Sequence, residues 1–179
     1  MADKLPAAVF LDRDGTLMLD VDYCGDPKDV HIFAGASEAL GKLRERGYKI
    51  FIVTNQSGIA RGYFSEEQYR AIEHEVCRQL GEDLIDATYF CPHRPDQACD
   101  CRKPAPGLVL RAASEHHLDL RRSFFIGDKD SDMQCGRSAG VKTILVQTGY
   151  GQSADQEAPD FVAQDLAAAI TVVLGSQDE

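Results

Sequence analysis

Short apolar runs alternate along the chain with longer segments whose apolar residues recur three and four positions apart. Runs of the first kind are typical of buried strands, and the longer spacing is typical of amphipathic helices. Strands are therefore predicted at residues 7–11, 49–53, 87–90, 123–126 and 143–146. Helices are predicted at residues 36–46, 65–80, 106–117, 131–139 and 163–174. Ser65 and Gln68 form a capping-box pattern at the start of the second helix.

This order of elements predicts an α/β fold with one doubly wound, mainly parallel sheet, because strands that are apolar throughout need helices on both faces. No internal repeat or linker divides the chain, so residues 1–179 are predicted to form a single domain. The roughly twenty residues between Thr16 and Ala36 are too few for a separate cap domain. Such sheets bind ligands at the carboxyl ends of their strands, where we expect the polar clusters described below.

Composition and charge restrict the classes of molecule that the chain is expected to bind. With 44% hydrophobic and 27% charged residues, the chain has the balance of an ordinary soluble protein. Its formal net charge of −10 argues against nucleic acid as a partner. No apolar run approaches the roughly 18 residues that span a bilayer, and residues 1–6 lack the organisation of a secretory signal. We therefore expect a cytoplasmic protein that does not bind membranes. Composition does not give the oligomeric state, and a monomer is the default expectation.

Two carboxylates follow the first predicted strand. Asp12 and Asp14 stand two positions apart, so in extended backbone their side chains point to the same side. Two close carboxylates favour a divalent cation between them, and magnesium is the hard ion that suits oxygen ligands. A carboxylate can also attack phosphorus while a neighbouring acid protonates the leaving oxygen. The alternative interpretation is an aspartate-rich turn before Gly15.

Three further polar sites follow other predicted strands. Thr54 opens a polar loop in which a hydroxyl and backbone amides can hold phosphate oxygens. Lys103 supplies a point charge suited to a phosphoryl group. Asp128 is placed for magnesium, and Asp132, one helical turn on, equally fits the N-terminus of the next helix. Taken alone, Thr54 is also typical of a polar turn, and Lys103 is also typical of a solvated surface lysine.

The order Asp-x-Asp-Gly-Thr, Thr, Lys and Gly-Asp-x-x-x-Asp resembles the haloacid dehalogenase superfamily over about residues 7–150. The resemblance implies a magnesium-dependent phosphatase in which Asp12 forms an aspartyl-phosphate. It implies that Asp14 protonates the leaving sugar oxygen and then activates water. It also implies magnesium binding by Asp12, the backbone carbonyl of Asp14 and Asp128. Thr54 and Lys103 would stabilise the phosphoryl oxygens.

A cysteine-rich loop follows the third predicted strand. Four soft ligands lie within residues 91–101, namely Cys91, His93, Cys99 and Cys101. They complete a tetrahedral zinc site with no open position, so we expect a structural ion that orients the following Arg102 and Lys103. Unpaired cysteines beside a surface histidine are the alternative, and iron is an alternative ion. The remaining cysteines, Cys24, Cys77 and Cys135, are interpreted as packing residues.

The zinc loop and residues 54–64 resemble a subgroup that contains heptose 1,7-bisphosphate 7-phosphatases and histidinol-phosphate phosphatases. Thr-Asn-Gln-Ser-Gly-Ile-Ala-Arg-Gly resembles the heptose branch, which implies a sugar phosphate as substrate and a role in nucleotide-heptose biosynthesis for the bacterial outer surface. The five-residue spacer 94–98 is closer to the histidinol branch, which remains the alternative. Implied substrate contacts are Asp20, Tyr23, Asn55, Gln56, Ser57, Arg102 and Lys129. Val21 and Asp22 depart from the heptose pattern.

An alternative of another class is a zinc-knuckle interaction module that has lost catalysis. It would predict the loss of at least one residue from the catalytic and magnesium-binding set. All members of that set are present, namely Asp12, Asp14, Lys103 and Asp128. The sequence therefore favours an enzyme.

Overall fold

One parallel sheet organises the residues that the computed structural model describes, 5–156 and 158–176. Within them its strands are β1 (Ala8–Leu11), β2 (Lys49–Asn55), β3 (Ala87–Cys91), β4 (Phe124–Gly127), β5 (Lys142–Val146) and β6 (Phe161–Ala163). The helices are α1 (Ala36–Glu45), α2 (Glu66–Leu80), α3 (Gly107–His116), α4 (Asp130–Ala139) and α5 (Leu166–Gly175). The strands lie in the order β3-β2-β1-β4-β5-β6, and neighbours are parallel. The predicted α/β fold is confirmed.

Successive residues of β1 point to opposite faces of the sheet, and each face carries its own hydrophobic core. Val9 and Leu11 belong to one core, which α1, α2 and α5 cover. Ala8 and Phe10 belong to the other, which α3 and α4 cover. All four side chains are fully buried. The strand is apolar throughout because helices exclude water from both faces, as the doubly wound arrangement requires.

The strand order reverses between β1 and β4, which are neighbours in the sheet although they are far apart in sequence. The chain runs outwards from β1 to β3, returns to β4 and then runs outwards to β6. In open parallel sheets, ligands bind in the crevice at such a reversal. Asp12 directly follows β1 and Asp128 directly follows β4, so both carboxylates lie at this crevice.

Several boundaries differ from the prediction because of pairing in the sheet, two of them by two residues or more. β2 continues to Asn55, since Thr54 and Asn55 pair with β3. Thr54 is therefore a strand residue and not the first residue of a loop. The last helix begins at Leu166 rather than at residue 163, because Ala163 pairs with Val146 in the unpredicted strand β6. Only one residue of β6 is buried, so no apolar run identifies it.

No separate cap follows β1. Among the described residues, segment 12–35 contains a 3₁₀ helix at Pro27–Asp29 and isolated bridges, with no further strand or α-helix. Loops therefore border the crevice. Cys24 and Cys135 lie in the two cores, and Cys77 is half-buried on α2. Among residues 5–156 and 158–176, no helix has the length and hydropathy needed to cross a membrane.

The capping box predicted at α2 is confirmed. The Gln68 backbone N–H donates to Ser65 Oγ at 3.1 Å, and the Ser65 N–H donates to Gln68 Oε1 at 2.8 Å. Ser65→Ala removes the first bond and should lower the free energy of unfolding by about 1 kcal/mol, measured by urea denaturation. Ser114→Ala, at an exposed position inside α3, should leave that free energy unchanged or slightly raised. Equal stability of S65A and the parent would contradict the capping role.

Candidate active site

A buried lysine between two carboxylates forms the centre of the site. Lys103 Nζ lies 2.8 Å from Asp12 Oδ1 and 2.6 Å from Asp132 Oδ1. It also donates to the Val53 carbonyl oxygen at 2.8 Å. The three charged residues are at most 4% exposed. Lys103 therefore lies at Asp12, and its predicted contact with the phosphoryl group stays a prediction. Asp132 pairs with Lys103 and also accepts the Lys129 N–H in the first turn of α4.

Asp12 and Lys103 hold each other in their ionised forms. Burial by itself lowers the pKa of Lys103, but Asp12 and Asp132 outweigh burial and the pKa is raised. Burial likewise raises the pKa of Asp12, but Lys103 and Lys129 outweigh it, so this pKa lies below its ordinary value. Asp12 is therefore an anion at neutral pH, which is the form in which a carboxylate acts as a nucleophile.

Asp128 brings a third carboxylate to this cluster. One oxygen from each of Asp12, Asp128 and Asp132 lies within 4.8 Å of the others. Asp128 Oδ2 accepts a hydrogen bond from the Tyr150 backbone N–H at 2.9 Å. Its Oδ1 is buried and has no hydrogen-bond partner among the described residues. Burial and the charge of Asp12 raise the pKa of Asp128 to about 8.

The arrangement around Asp128 fits a divalent cation. A free, buried carboxylate oxygen beside a second carboxylate offers the hard ligands that magnesium prefers. A cation there would also compensate the repulsion that raises the pKa of Asp128. Asp12 and Asp128 are two of the three predicted ligands, and Asp132 is less suitable because it is paired with Lys103. The backbone carbonyl of Asp14 stays a prediction.

The Asp14 carboxylate is fixed by two side chains. Arg13 Nε donates to Asp14 Oδ2 at 3.1 Å and Arg13 Nη2 donates to Oδ1 at 3.0 Å. Gln56 Nε2 donates to Oδ2 at 2.9 Å. Arg13 is 2% exposed, whereas Asp14 is partly exposed and borders a cavity. This role of Arg13 was not predicted, because an arginine between two aspartates is usually a surface residue.

The last two residues of β2, Thr54 and Asn55, form hydrogen bonds with groups around Asp12. Asn55 Nδ2 donates to the Lys103 carbonyl oxygen at 3.1 Å, and the Lys103 N–H donates to Asn55 Oδ1 at 3.0 Å. Thr54 Oγ1 accepts a hydrogen bond from Gln56 Nε2 at 2.9 Å. Asn55 and Gln56 were predicted to contact substrate. Both line the cavity, and their side chains also hold Lys103 and Asp14 in place.

The loop after β5 closes on Asp128. Thr148 Oγ1 donates to the Gly15 carbonyl oxygen at 2.6 Å. A side chain at Gly149 would overlap both Asp128 and Gly15, so the close approach requires glycine there. The first residues of this loop are therefore fixed against the site. The sequence carried no motif that links this loop to Asp128.

A cavity of about 250 Å³ lies beside Asp14 at the sheet edge. Six of the predicted substrate-binding residues line it, namely Asp20, Tyr23, Asn55, Gln56, Ser57 and Lys129. Arg13, Asp22, Cys24 and Tyr150 also line it, although no substrate contact was predicted for them. Arg102 is not in this lining, and its Nη1 donates to the His93 carbonyl oxygen at 3.1 Å. Its predicted contact with substrate stays a prediction.

The cysteine-rich loop brings its four predicted ligands together. Ligand atoms of all four residues lie within 4.8 Å of one another, in the set Cys91, His93, Cys99 and Cys101. Cys91 Sγ lies 3.7 Å from Cys99 Sγ and 3.0 Å from Cys101 Sγ. His93 Nδ1 lies 3.2 Å from Cys101 Sγ. A zinc tetrahedron with sulfur ligands has edges of about 3.8 Å, so the cluster is compatible with zinc.

Two family models and several curated proteins match this sequence. A model of haloacid dehalogenase-like hydrolases matches residues 9–93, and a HAD-hydrolase-like model matches residues 100–169. The D-glycero-beta-D-manno-heptose-1,7-bisphosphate 7-phosphatase of Haemophilus ducreyi is 43% identical over 160 residues, covering 84% of this chain and 88% of that protein. The protein of the same name from Yersinia pestis is 41% identical over 179 residues, covering 93% and 94%.

The fold of the chain is also similar to that of a solved structure. It is the crystal structure of D,D-heptose 1,7-bisphosphate phosphatase from B. bronchiseptica complexed with magnesium and phosphate. It superposes with a TM-score of 0.88 and 34% sequence identity, covering 95% of this chain and 99% of that chain. The chain belongs to the D-glycero-beta-D-manno-heptose-1,7-bisphosphate 7-phosphatase family of the haloacid dehalogenase-like hydrolases.

Proposed function

We propose that the chain is a magnesium-dependent phosphatase that removes the 7-phosphate from D-glycero-D-manno-heptose 1,7-bisphosphate and prefers the β anomer. The observation that carries this proposal is the ionised carboxylate of Asp12, held by Lys103 and facing Asp128 at the reversal of strand order. The names of the relatives from Haemophilus ducreyi and Yersinia pestis support the substrate and the anomer. The product would serve nucleotide-heptose biosynthesis.

Asp12 and Asp14 divide the chemistry between them. In the first step an Asp12 oxygen bonds to phosphorus, the bond from phosphorus to the sugar oxygen breaks, and Asp14 gives that oxygen a proton. In the second step Asp14 takes a proton from water, whose oxygen displaces Asp12 from phosphorus and releases phosphate. The three N–H groups that donate to the Asp14 carboxylate fix its position, so the same carboxyl group can serve in both steps.

The surrounding cations stabilise charge on the phosphoryl group. Lys103 is already anchored at Asp12, so its ammonium needs no rearrangement when charge develops on the phosphoryl oxygens. Thr54 offers its hydroxyl at the same edge of β2. Asp12, Asp128 and the backbone carbonyl of Asp14 would hold magnesium, which supplies charge neutralisation between the nucleophile and the phosphoryl oxygens.

The cysteine-rich loop binds a structural zinc ion in this proposal. Its ligand atoms are close enough for one tetrahedral ion. The loop ends at Cys101, and Arg102 then reaches back to the His93 carbonyl, so ordering the loop also orders the segment that carries Lys103. Zinc would thereby act on catalysis through the position of Lys103. The single domain, the monomer and the cytoplasmic location stay predictions from the sequence.

Replacing the nucleophile tests the covalent step. Asp12→Asn should lower kcat by at least about a thousandfold, because an amide cannot form the acyl phosphate. Phosphate release with magnesium gives the rate, and acid quenching with radiolabelled substrate detects the phosphorylated protein. Asp130→Asn, which alters an exposed carboxylate two residues after Asp128, should keep the parent rate. Normal turnover by D12N would refute the mechanism.

A substrate comparison tests the specificity. The parent protein should hydrolyse the β anomer of heptose 1,7-bisphosphate with a kcat/KM at least about a hundredfold above that for histidinol phosphate. The α anomer should fall between the two. If histidinol phosphate were the better substrate, the chemistry of Asp12 would stand and the heptose assignment would fail. The spacer at residues 94–98 is the observation that favours that outcome.

Removal of one zinc ligand tests the metal loop. Cys99→Ser should lower zinc content, measured by elemental analysis, and lower both the melting temperature and kcat. The matched control is Cys77→Ser, which alters a half-buried cysteine on α2 outside the cluster and should keep the zinc content of the parent. Full zinc content in C99S would argue against this ligand set.

A further inference from the structure

Tyr150 borders the reaction cavity, although the proposed chemistry does not use its side chain. Its backbone N–H donates to Asp128 Oδ2 at 2.9 Å, which fixes the residue beside the cation site. The residue is nevertheless 57% exposed, so most of its surface is open to solvent. An anchored backbone with an open aromatic face is an arrangement that can receive a ligand, because the ring loses little freedom on contact.

The ring also contacts the cation of the cavity. Lys129 Nζ lies 5.0 Å from the centroid of the Tyr150 ring, within the range of a cation–π interaction. The same ammonium lies 3.5 Å from Asp20 Oδ2, which is a long ion pair. Neither contact uses up the N–H donors of Lys129 in short hydrogen bonds. The ammonium is therefore positioned by Asp20 and Tyr150 while it remains able to bind a substrate oxygen.

Tyr150 and Lys129 stand between two cavities. Both residues line the reaction cavity, and both line a neighbouring cavity of about 310 Å³. The second cavity is completed by Asp128, Asp130, Ser153 and Ala154. Because the same two residues border both spaces, they lie where the two cavities meet. Loss of the ring would widen the reaction cavity on this side.

We propose that Tyr150 is a specificity-determining residue of this phosphatase. Its ring closes one side of the reaction cavity, presents an apolar face to the carbon skeleton of a sugar phosphate and holds the Lys129 ammonium towards the polar groups of that sugar. The proposal rests on the proposed function, because it takes a sugar phosphate as the substrate. Inorganic phosphate has no carbon skeleton, so its binding should not depend on the ring.

Substitutions at Tyr150 separate its ring from its backbone. Tyr150→Ala keeps the N–H that donates to Asp128 and removes the ring. It should raise KM for heptose 1,7-bisphosphate about tenfold while kcat stays within about twofold. Tyr150→Phe retains the aromatic face and should restore KM to near the parent value. Tyr150→Leu retains apolar bulk without the π system, so its KM should lie between those of the other two variants.

Three readouts distinguish this role from a structural one. The melting temperature, the magnesium concentration for half-maximal activity and the inhibition constant of inorganic phosphate should each stay within about twofold, or a few degrees, of the parent in Y150A. Gln152→Ala, at an exposed neighbouring position of the same loop, should leave KM unchanged. A KM in Y150A equal to that of the parent would overturn the inference. So would a joint change in magnesium dependence and phosphate inhibition, because the loop would then act only through Asp128.

The parent protein distinguishes failure of this inference from failure of the proposed function. If the parent prefers another sugar phosphate to the heptose, the heptose assignment fails and the same variants are measured on the preferred sugar. A rise in KM there would still support the role of Tyr150. If the parent hydrolyses simple phosphate esters but no sugar phosphate, both the proposed function and the inference are overturned.

Discussion

The buried ammonium of Lys103 joins three segments that are far apart in sequence. It contacts Asp12 after β1, Val53 in β2 and Asp132 in α4. Removing one member of a buried ion pair typically costs about 3–5 kcal/mol, because the remaining charge is left without a partner in a medium of low polarity. The nucleophile is therefore correctly placed and ionised only when all three segments have packed, which couples the reaction to the completed fold.

Hydrogen bonds to its backbone hold Lys103 in position independently of the contact between its side chain and Asp12. Asn55 bonds both the N–H and the carbonyl of Lys103, and the cysteine-rich loop ends two residues earlier, at Cys101. A lysine on an unrestrained loop would lose about 1.5–2 kcal/mol of side-chain entropy, and backbone entropy in addition, each time it docked. Anchoring the backbone removes part of that cost from the active conformation. The cysteine-rich loop next to Lys103 therefore contributes to the position of this lysine.

The same cluster has more negative than positive charge. Asp12 and Asp132 share Lys103, whereas Asp128 receives one backbone N–H and keeps a free buried oxygen. Burial raises the pKa of Asp128, and repulsion by the neighbouring Asp12 carboxylate raises it further. A divalent cation relieves that repulsion and neutralises an incoming phosphate in the same place. The charge imbalance of the site thus explains why magnesium suits both the protein and its substrate.

The sequence by itself predicted β1 to β5, the helices α1 to α5 and most of the polar residues that meet at the sheet edge. A strand buried on both faces must be apolar at every position, so the run before Asp12 identified both β1 and the edge at which the carboxylate lies. Only the tertiary structure decided which side chains meet there. It pairs Arg13 with Asp14, gives Asp132 to Lys103, and adds β6 to the sheet. It also brings the loop after β5 onto Asp128. The periodicity of apolar residues indicates which positions are buried. It does not indicate which polar groups from distant segments pair with one another, because that pairing depends on how the loops pack at the sheet edge.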